Sequence, residues 1–536
     1  MELQKFYYPI LCIIPVLCLT LGSISGTYLG TDDAHIYFVY MRNIAENYGF
    51  VYQRGDIEVE GFTSVLWTLI GSVFYKIYSK PHQFLYVTNL LLMFFCFWQA
   101  NDYIRNISKI SRKYFYLLFI LLVLLSPGFI LWNVFSLLET GLWTFLVFST
   151  VLNILNTSKY KNIFVFNLLL CLLIFTRPES LLLVPFFIFW KFAFIYQDSR
   201  NLKYTAELLL SSFLTFITSL LFLHTWRFFH FNLLFPNTYY AKASGSFFRT
   251  LYDGINYNFL FFSENIIYAV ILMAVGLYII KTIKKDNLLE ENFKIYFLFS
   301  VLLLGTIIPV IGGSDHFGLY RFMQPLIPIF WLLAFHFTKI PKKIYLIAIL
   351  CLGIFEPQSF FAQLVLKKTN PAKVEWEIVH TNRADAENLN KMFSEITRPS
   401  AGLLAAGAFA YYYHGNSIDL LGLNNFKMAH ADRIKIGPKN HAAFSKKIFY
   451  EQTPDLIVSN IFVGPQNKEG QINFIKIGSW ESQLLKGIQD DIEFRLLYGN
   501  YIIEDKKTRL VLKAYIKKKF VENHLINNPR YSVILE

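Results

Sequence analysis

The chain has 536 residues, of which 54% are hydrophobic, 18% aromatic and only 16% charged, with a mean hydropathy of +0.40. This excludes an ordinary soluble enzyme, a disordered chain and a collagen-like fibre, and it reads as an integral membrane protein. The net charge of +13 does not point to nucleic acid, because most basic residues before residue 357 sit in short gaps between apolar runs, where they report topology.

With about 20 mostly apolar residues as the length of a span, the sequence predicts transmembrane helices near 7–28, 84–104, 114–133, 137–156, 162–177, 180–197, 206–229, 264–284, 294–312, 322–338 and 343–356. The first has the length of a signal peptide, but ten spans follow it and it reads as a retained anchor. The run Phe62 to Tyr78 is apolar yet carries Thr63, Ser64, Thr68 and Ser72. Lys and Arg clusters at 105–113, 158–161, 281–285 and 339–343 alternate with Lys-poor gaps, and the positive-inside bias puts all four in the cytoplasm. An odd number of crossings must then separate Asp32 from Arg105. Of the two runs between them only 84–104 crosses, and 62–78 lies in the outer interface with Trp67 and its neighbours facing lipid. The expected fold class is an α-helical polytopic membrane protein over 1–357, with about eleven transmembrane helices and its N-terminus inside. A C-terminal α/β domain over 358–536 follows on the outer side.

Ionisable residues at membrane depth are costly, so their placement marks a functional site. Nearly all those of the membrane half collect on the outward side: Asp32, Asp33 and His35 after the first span, and Glu58 and Glu60 before the interfacial helix. Glu139 opens the fourth span, Arg177 and Glu179 flank Pro178, and Asp315, His316 and Arg321 lie between the ninth and tenth spans. They describe a polar cavity opening outward. Two adjacent carboxylates there raise one another's pKa and leave one as a usable base, unless both are simply solvated. Glu139 reads equally as a helix cap and as a functional acid. Arg177 needs an anionic partner, which either Glu179 or a lipid phosphate supplies. Asp315 and His316 lie in a Gly-rich loop, where one Asp–His pair is a weak metal signal. In 235–242, Asn237 and the aromatics suit a sugar ring and Lys242 suits a phosphate, with an interfacial aromatic belt as the alternative for Tyr239 and Tyr240.

From about 358 the composition turns mixed, and this tail holds 24 of the 50 Lys and Arg and 18 of the 37 acids. β-like runs at 403–407, 455–459 and 498–503 predict a small α/β domain. Within it 410–422 reads as strand, turn, strand, its polar ends overhanging the cavity as a glycan grip or a structural lid.

The stretch Thr31-Asp-Asp-Ala-His-Ile-Tyr, with Gly49-Phe-Val-Tyr and Val59-Glu-Gly-Phe-Thr-Ser-Val-Leu-Trp67 after it, resembles the opening of polytopic GT-C glycosyltransferases. The nearest resemblance is to the branch of the mycobacterial terminal arabinofuranosyltransferase and related bacterial envelope or lipopolysaccharide proteins. Shorter matches follow in order: Leu138-Glu-Thr140, Thr176-Arg-Pro-Glu179, Pro236-Asn-Thr-Tyr239, Gly312-Gly-Ser-Asp315 with Arg321-Phe322, Ile418 to Asn424, and Ala429-His430. Leu137-Leu138 and Ser314-Asp-His-Phe depart from the family pattern.

The resemblance implies sugar transfer, with inversion, from a polyprenyl-phosphate donor to an envelope glycan acceptor at the periplasmic face of a bacterial inner membrane. An Asp of the first external loop deprotonates the acceptor in such enzymes; Asp32 and Asp33 hold that place, with Asp32 slightly preferred. Arg177, Arg321 and Lys242 would meet the donor phosphate, and His35, Glu60, Glu139, Asn237, Asp315 and His316 the sugar or acceptor. No cofactor is certain, and a divalent metal stays open. The partners are then the lipid-linked donor, the glycan and the bilayer. No nucleic acid is expected, and the chain has no G-x-x-x-x-G-K-[ST] phosphate loop. A lipid or glycan transporter or flippase is the rival reading, but it would place charges near the bilayer midplane rather than at one mouth.

Overall fold

The structure, a computed structural model, describes residues 29–107, 127–156, 163–242, 247–283, 290–336, 373–432, 434–438, 440–465 and 476–536. The predicted spans 7–28 and 343–356, most of 114–133, and the 357/358 boundary lie outside the described residues.

The helical part begins with α1 (Asp32–Ala45) and α2 (Val65–Ile77). After these, α3 (Pro81–Ile107) is the first of five described helices long and apolar enough to cross a membrane. A short α4 (Pro127–Ile130) runs into a π-turn at Leu131–Phe135, and α5 (Thr140–Leu155) leaves it at 108°; taken as one broken span, this pair is a sixth. The predicted span at 162–177 is the 14-residue α6 (Ile163–Thr176). The other four long apolar helices are α7 (Ser180–Ser199), α8 (Leu202–Phe231), and, beyond the short α9 (Asn237–Lys242) and α10 (Phe247–Glu264), α11 (Ile266–Ile283) and α12 (Glu290–Gly312). The predicted run 322–338 is not one helix. Leu319 and Tyr320 take positive φ, a 3₁₀ turn spans Arg321–Leu326 around Pro325, and α13 (Ile327–His336) follows.

The break before α5 organises the fold around it. Leu137 has φ +58, and the freed Ser136 carbonyl accepts hydrogen bonds from the Thr31 backbone N–H at 3.1 Å and hydroxyl at 3.2 Å. The start of α1 is thereby stitched beside Glu139. The Leu137 carbonyl accepts from the Trp67 indole at 3.0 Å, which corrects the expectation that Trp67 faces lipid. The ring is fully buried, and Leu69, Val73 and Ile77 are the exposed apolar residues of α2. An indole N–H needs an acceptor, and a broken helix offers one.

The sequence reading contained no α10. This helix buries Gly254, Tyr257 and Phe261 while Phe247, Phe248, Tyr252 and Phe259 are exposed. Its close approach to α12 requires Gly254, where a Cβ would stand 2.2 Å from the Pro309 carbonyl oxygen.

The C-terminal part opens with α14 (Lys373–Met392) and builds a six-stranded mixed sheet from β1 (Ala401–Leu403), β2 (Ser417–Asp419), β3 (Leu456–Pro465), β4 (Tyr498–Asp505), β5 (Leu510–Lys517) and β6 (Tyr531–Leu535). The strand order is β2-β1-β3-β5-β4-β6, parallel over β2-β1-β3 and antiparallel beyond. The segment expected as a strand at 410–414 is instead mostly the short helix α15 (Ala408–Tyr412), packed on α1. One hydrophobic core runs from the helices into the sheet through Phe38, Trp132, Trp376, Leu403 and Leu512.

Candidate active site

A polar cavity of about 110 Å³ opens where the helical part meets the C-terminal part. Asp33, Glu139, Arg177, Lys242 and Arg321 line it. Each sits at an element end, where the chain leaves the apolar run that precedes or follows it. Asp33 is in the first turn of α1, Glu139 directly before α5, Arg177 between α6 and α7, Lys242 at the end of α9, and Arg321 at the start of the 3₁₀ turn.

The two adjacent aspartates diverge. Asp32 is 7% exposed and is spent on the C-terminal part: its carboxylate accepts the Ala408 N–H at 2.8 Å, the Gly407 N–H at 3.0 Å and the Asn382 amide at 3.4 Å. A Cβ on residue 407 would lie 1.8 Å from the Asp32 carbonyl oxygen, so glycine is required there. Burial, reinforced by the charge of Asp33, pushes the Asp32 carboxyl up to about 6 against the bonds it accepts. The Asp33 side chain is 33% exposed, lines the cavity and lies 4.0 Å from the Arg321 guanidinium.

The cations are unequally committed. Arg177 is held by two carboxylates, donating to Glu179 at 2.7 Å and to Glu139 at 2.6 Å. Arg321 donates to Asp315 at 3.1 Å and stacks over Phe317 at 4.3 Å. No salt bridge reaches Lys242 among the described residues. Burial holds its ammonium below the ordinary range, opposed by Asp33 and aided by Arg321 and Arg177.

Other predicted residues lie elsewhere. His35 is buried beneath Tyr411 and Tyr412 with Nδ1 2.9 Å from the Thr31 carbonyl oxygen, and burial lowers it to about 3. Glu60 forms a buried two-pronged pair with Arg227 of α8, at 2.8 and 2.9 Å. Asn237 donates to the Gly422 and Leu423 carbonyls, both at 2.9 Å, which ties α9 to the C-terminal part. These three are not among the residues that line the cavity. Asp315 reaches it only through Arg321, and the His316 ring packs on Phe317 and His441. Among the described residues no group of three His, Cys, Asp or Glu side chains is arranged to hold a metal. One oxygen of Asp315 is taken by Arg321, and no two further ligands stand beside the other among the described residues, so this donor set does not fit a metal centre.

Sequence reasoning missed Glu375, in the first turn of α14. Burial, then the nearby charges of Asp33 and Asp32, raise its carboxyl to about 8. The available sequence signal was its neighbour Trp376, whose ring lies tilted 6.1 Å from that of Trp132.

Arg177, Arg321 and Phe322 also line a second, narrow cavity of about 30 Å³ whose other walls are largely apolar, including Trp143 of α5, Leu183 of α7 and Val301 and Ile308 of α12. A charged chamber therefore shares its wall with a slot between membrane-type helices. No protein-family model matches the chain, and no curated protein or solved structure matches it.

Proposed function

We propose that this protein is a GT-C type membrane glycosyltransferase that moves a sugar from a polyprenyl-phosphate donor to an envelope glycan on the periplasmic side of a bacterial inner membrane. The observation that carries this reading is the pairing of the Asp33, Arg321 and Lys242 chamber with the apolar slot behind Arg177 and Phe322. A phosphate head suits the chamber, and the slot marks where an isoprenoid tail would enter between the helices, which must part to admit it because the slot is only about 30 Å³. The resemblance of 31–67 to the family's first external loop adds to it.

In this reading Asp33, rather than the slightly preferred Asp32, is the base, because it is the one of the pair with a free face on the chamber. Asp33 takes the acceptor hydroxyl proton as that oxygen attacks the anomeric carbon. The bond from that carbon to the phosphate oxygen breaks on the opposite side, and the electron pair leaves with the lipid phosphate. Lys242, which no carboxylate pairs among the described residues, and Arg321 stabilise the departing charge, whereas Arg177 holds Glu139 and Glu179 in place. The periplasmic placement rests on the positive-inside pattern of the Lys and Arg clusters.

The test is reconstitution of the purified chain in lipid nanodiscs with polyprenyl-phosphate-linked pentoses and hexoses, with transfer to envelope glycan read by mass. Wild-type transfer that disappears in a correctly inserted Asp33→Asn variant supports the reading. Undiminished transfer in that variant refutes the base assignment, and lipid translocation without any transfer supports a flippase instead.

A further inference from the structure

A second cleft, of about 290 Å³, opens between the first external loop and the end of β2. It is built from neighbours of the active-site wall: Val59 and Asn424 line the cleft, and Gly61 and Leu423 line the chamber. The size is close to the lower limit of about 300 Å³ for small-molecule sites.

Its lining is rich in groups that both donate and accept. Asn425 and Gln452 hold one another at 2.9 Å, and Gln53 bridges the Ser417 N–H at 3.1 Å and Asn416 at 3.2 Å, so the amides are fixed in orientation. Asp56, Asp419 and Lys427 contribute two carboxyls and one ammonium, which gives no net attraction for a phosphate, while Tyr52 and Phe426 supply ring faces. Ser417 is 5% exposed, and its hydroxyl is buried without a hydrogen-bond partner among the described residues. Fixed amides, aromatic faces, no excess of positive charge and an unanswered hydroxyl suit a ring that carries many hydroxyls of its own.

The wall is stiff. The Asp419 carboxylate accepts from the Leu421, Gly422 and Asn424 backbones at 2.8, 3.1 and 2.7 Å. Asn424 in turn accepts from the Tyr40 hydroxyl at 3.2 Å, and a Cβ on Gly61 would stand 1.9 Å from the Asn424 amide oxygen.

We propose that this cleft binds a carbohydrate of two or more sugar residues. That this glycan is the non-reacting body of the acceptor rests on the transferase reading; the binding itself does not. The test uses the full chain in lipid nanodiscs, titrated with defined tri- to pentasaccharides of hexoses, N-acetylhexosamines and uronic acids, and read by saturation-transfer NMR without donor lipid. At least one oligosaccharide binds, Phe426→Ala and the exposed Lys427→Ala each weaken it about tenfold, a loss of about 1.4 kcal/mol, and Asp33→Asn leaves it unchanged. Binding by no member of the panel overturns the proposal, as does binding that both cleft variants leave intact. Loss of binding in Asp33→Asn alone places the ligand in the chamber and also overturns it. Since binding is read without donor, a wild-type protein that binds glycan here but transfers nothing in the donor-supplied assay defeats only the transferase reading.

Discussion

Asp32 and Asp33 are predicted to fail in different ways when altered. Replacing Asp32 with Ala strips the acceptor from two buried backbone N–H groups, those of Gly407 and Ala408. At about 1–3 kcal/mol for each orphaned donor, the loss is about 2–6 kcal/mol. Asp32→Asn behaves otherwise. The wild-type carboxyl rises from 3.8 to about 6 on folding, which corresponds to about 3 kcal/mol. Because the folded value is the higher one, that contribution is fully present below pH 4 and is lost as the pH climbs through 6. An amide does not titrate, so Asp32→Asn removes this dependence. At pH 7 it gains relief from the buried charge and loses one acceptor, two effects of similar size. Asp33→Asn leaves stability unchanged and lowers transfer by about 10²–10⁴-fold, the usual worth of a general base. The assays are thermal unfolding between pH 4 and 7, proteolysis of the 406–412 segment, and sugar transfer. An Asp32→Asn protein that is inactive at wild-type stability, beside an Asp33→Asn protein that still turns over, would refute this division.

Three further outcomes follow from the same site. Glu375 is protonated below about pH 8, and its ionisation above that adds a second negative charge near Asp33; Glu375→Gln therefore removes the fall in kcat/KM above pH 8 and changes little at pH 7, read from a pH–rate profile. Lys242→Ala raises KM for the lipid-linked donor about tenfold or more, a loss typical of a hydrogen bond to a charged group, whereas folding measured by thermal shift is unaffected. Arg177→Met leaves the buried Glu139 and Glu179 carboxylates without their cation, and unfolding measurements should show a loss of about 3–5 kcal/mol.

What could be read from the chain follows from how the bilayer treats charge. A span tolerates few ionised groups, so Asp33, Glu139, Arg177, Lys242 and Arg321 had to stand at the ends of apolar runs, and their gathering at one mouth was visible without coordinates. Pairings across long separations were not. Glu60 looked like a site residue because its partner Arg227 lies in the last part of a run read as an uninterrupted span, and only the fold joins two positions 167 residues apart. Amphipathic α10 carries Arg249, Asp253, Asn256 and Asn258 among its aromatics, so its apolar stripe is too narrow for a span criterion. Glu375 enters from a part of the chain whose composition carries no membrane constraint at all.

The aspartate pair shows the limit most sharply. Successive residues on a helix point about 100° apart, so Asp32 and Asp33 cannot serve one surface unless a single feature wraps both. Here two features compete for them: the N–H groups of Gly407 and Ala408 on one side, and the chamber with Arg321 on the other. The sequence motif is symmetric between the two acids until residue 407 is placed. Once it is, the absence of a side chain at that glycine explains why one carboxylate can be given up to structure while its neighbour stays available for chemistry.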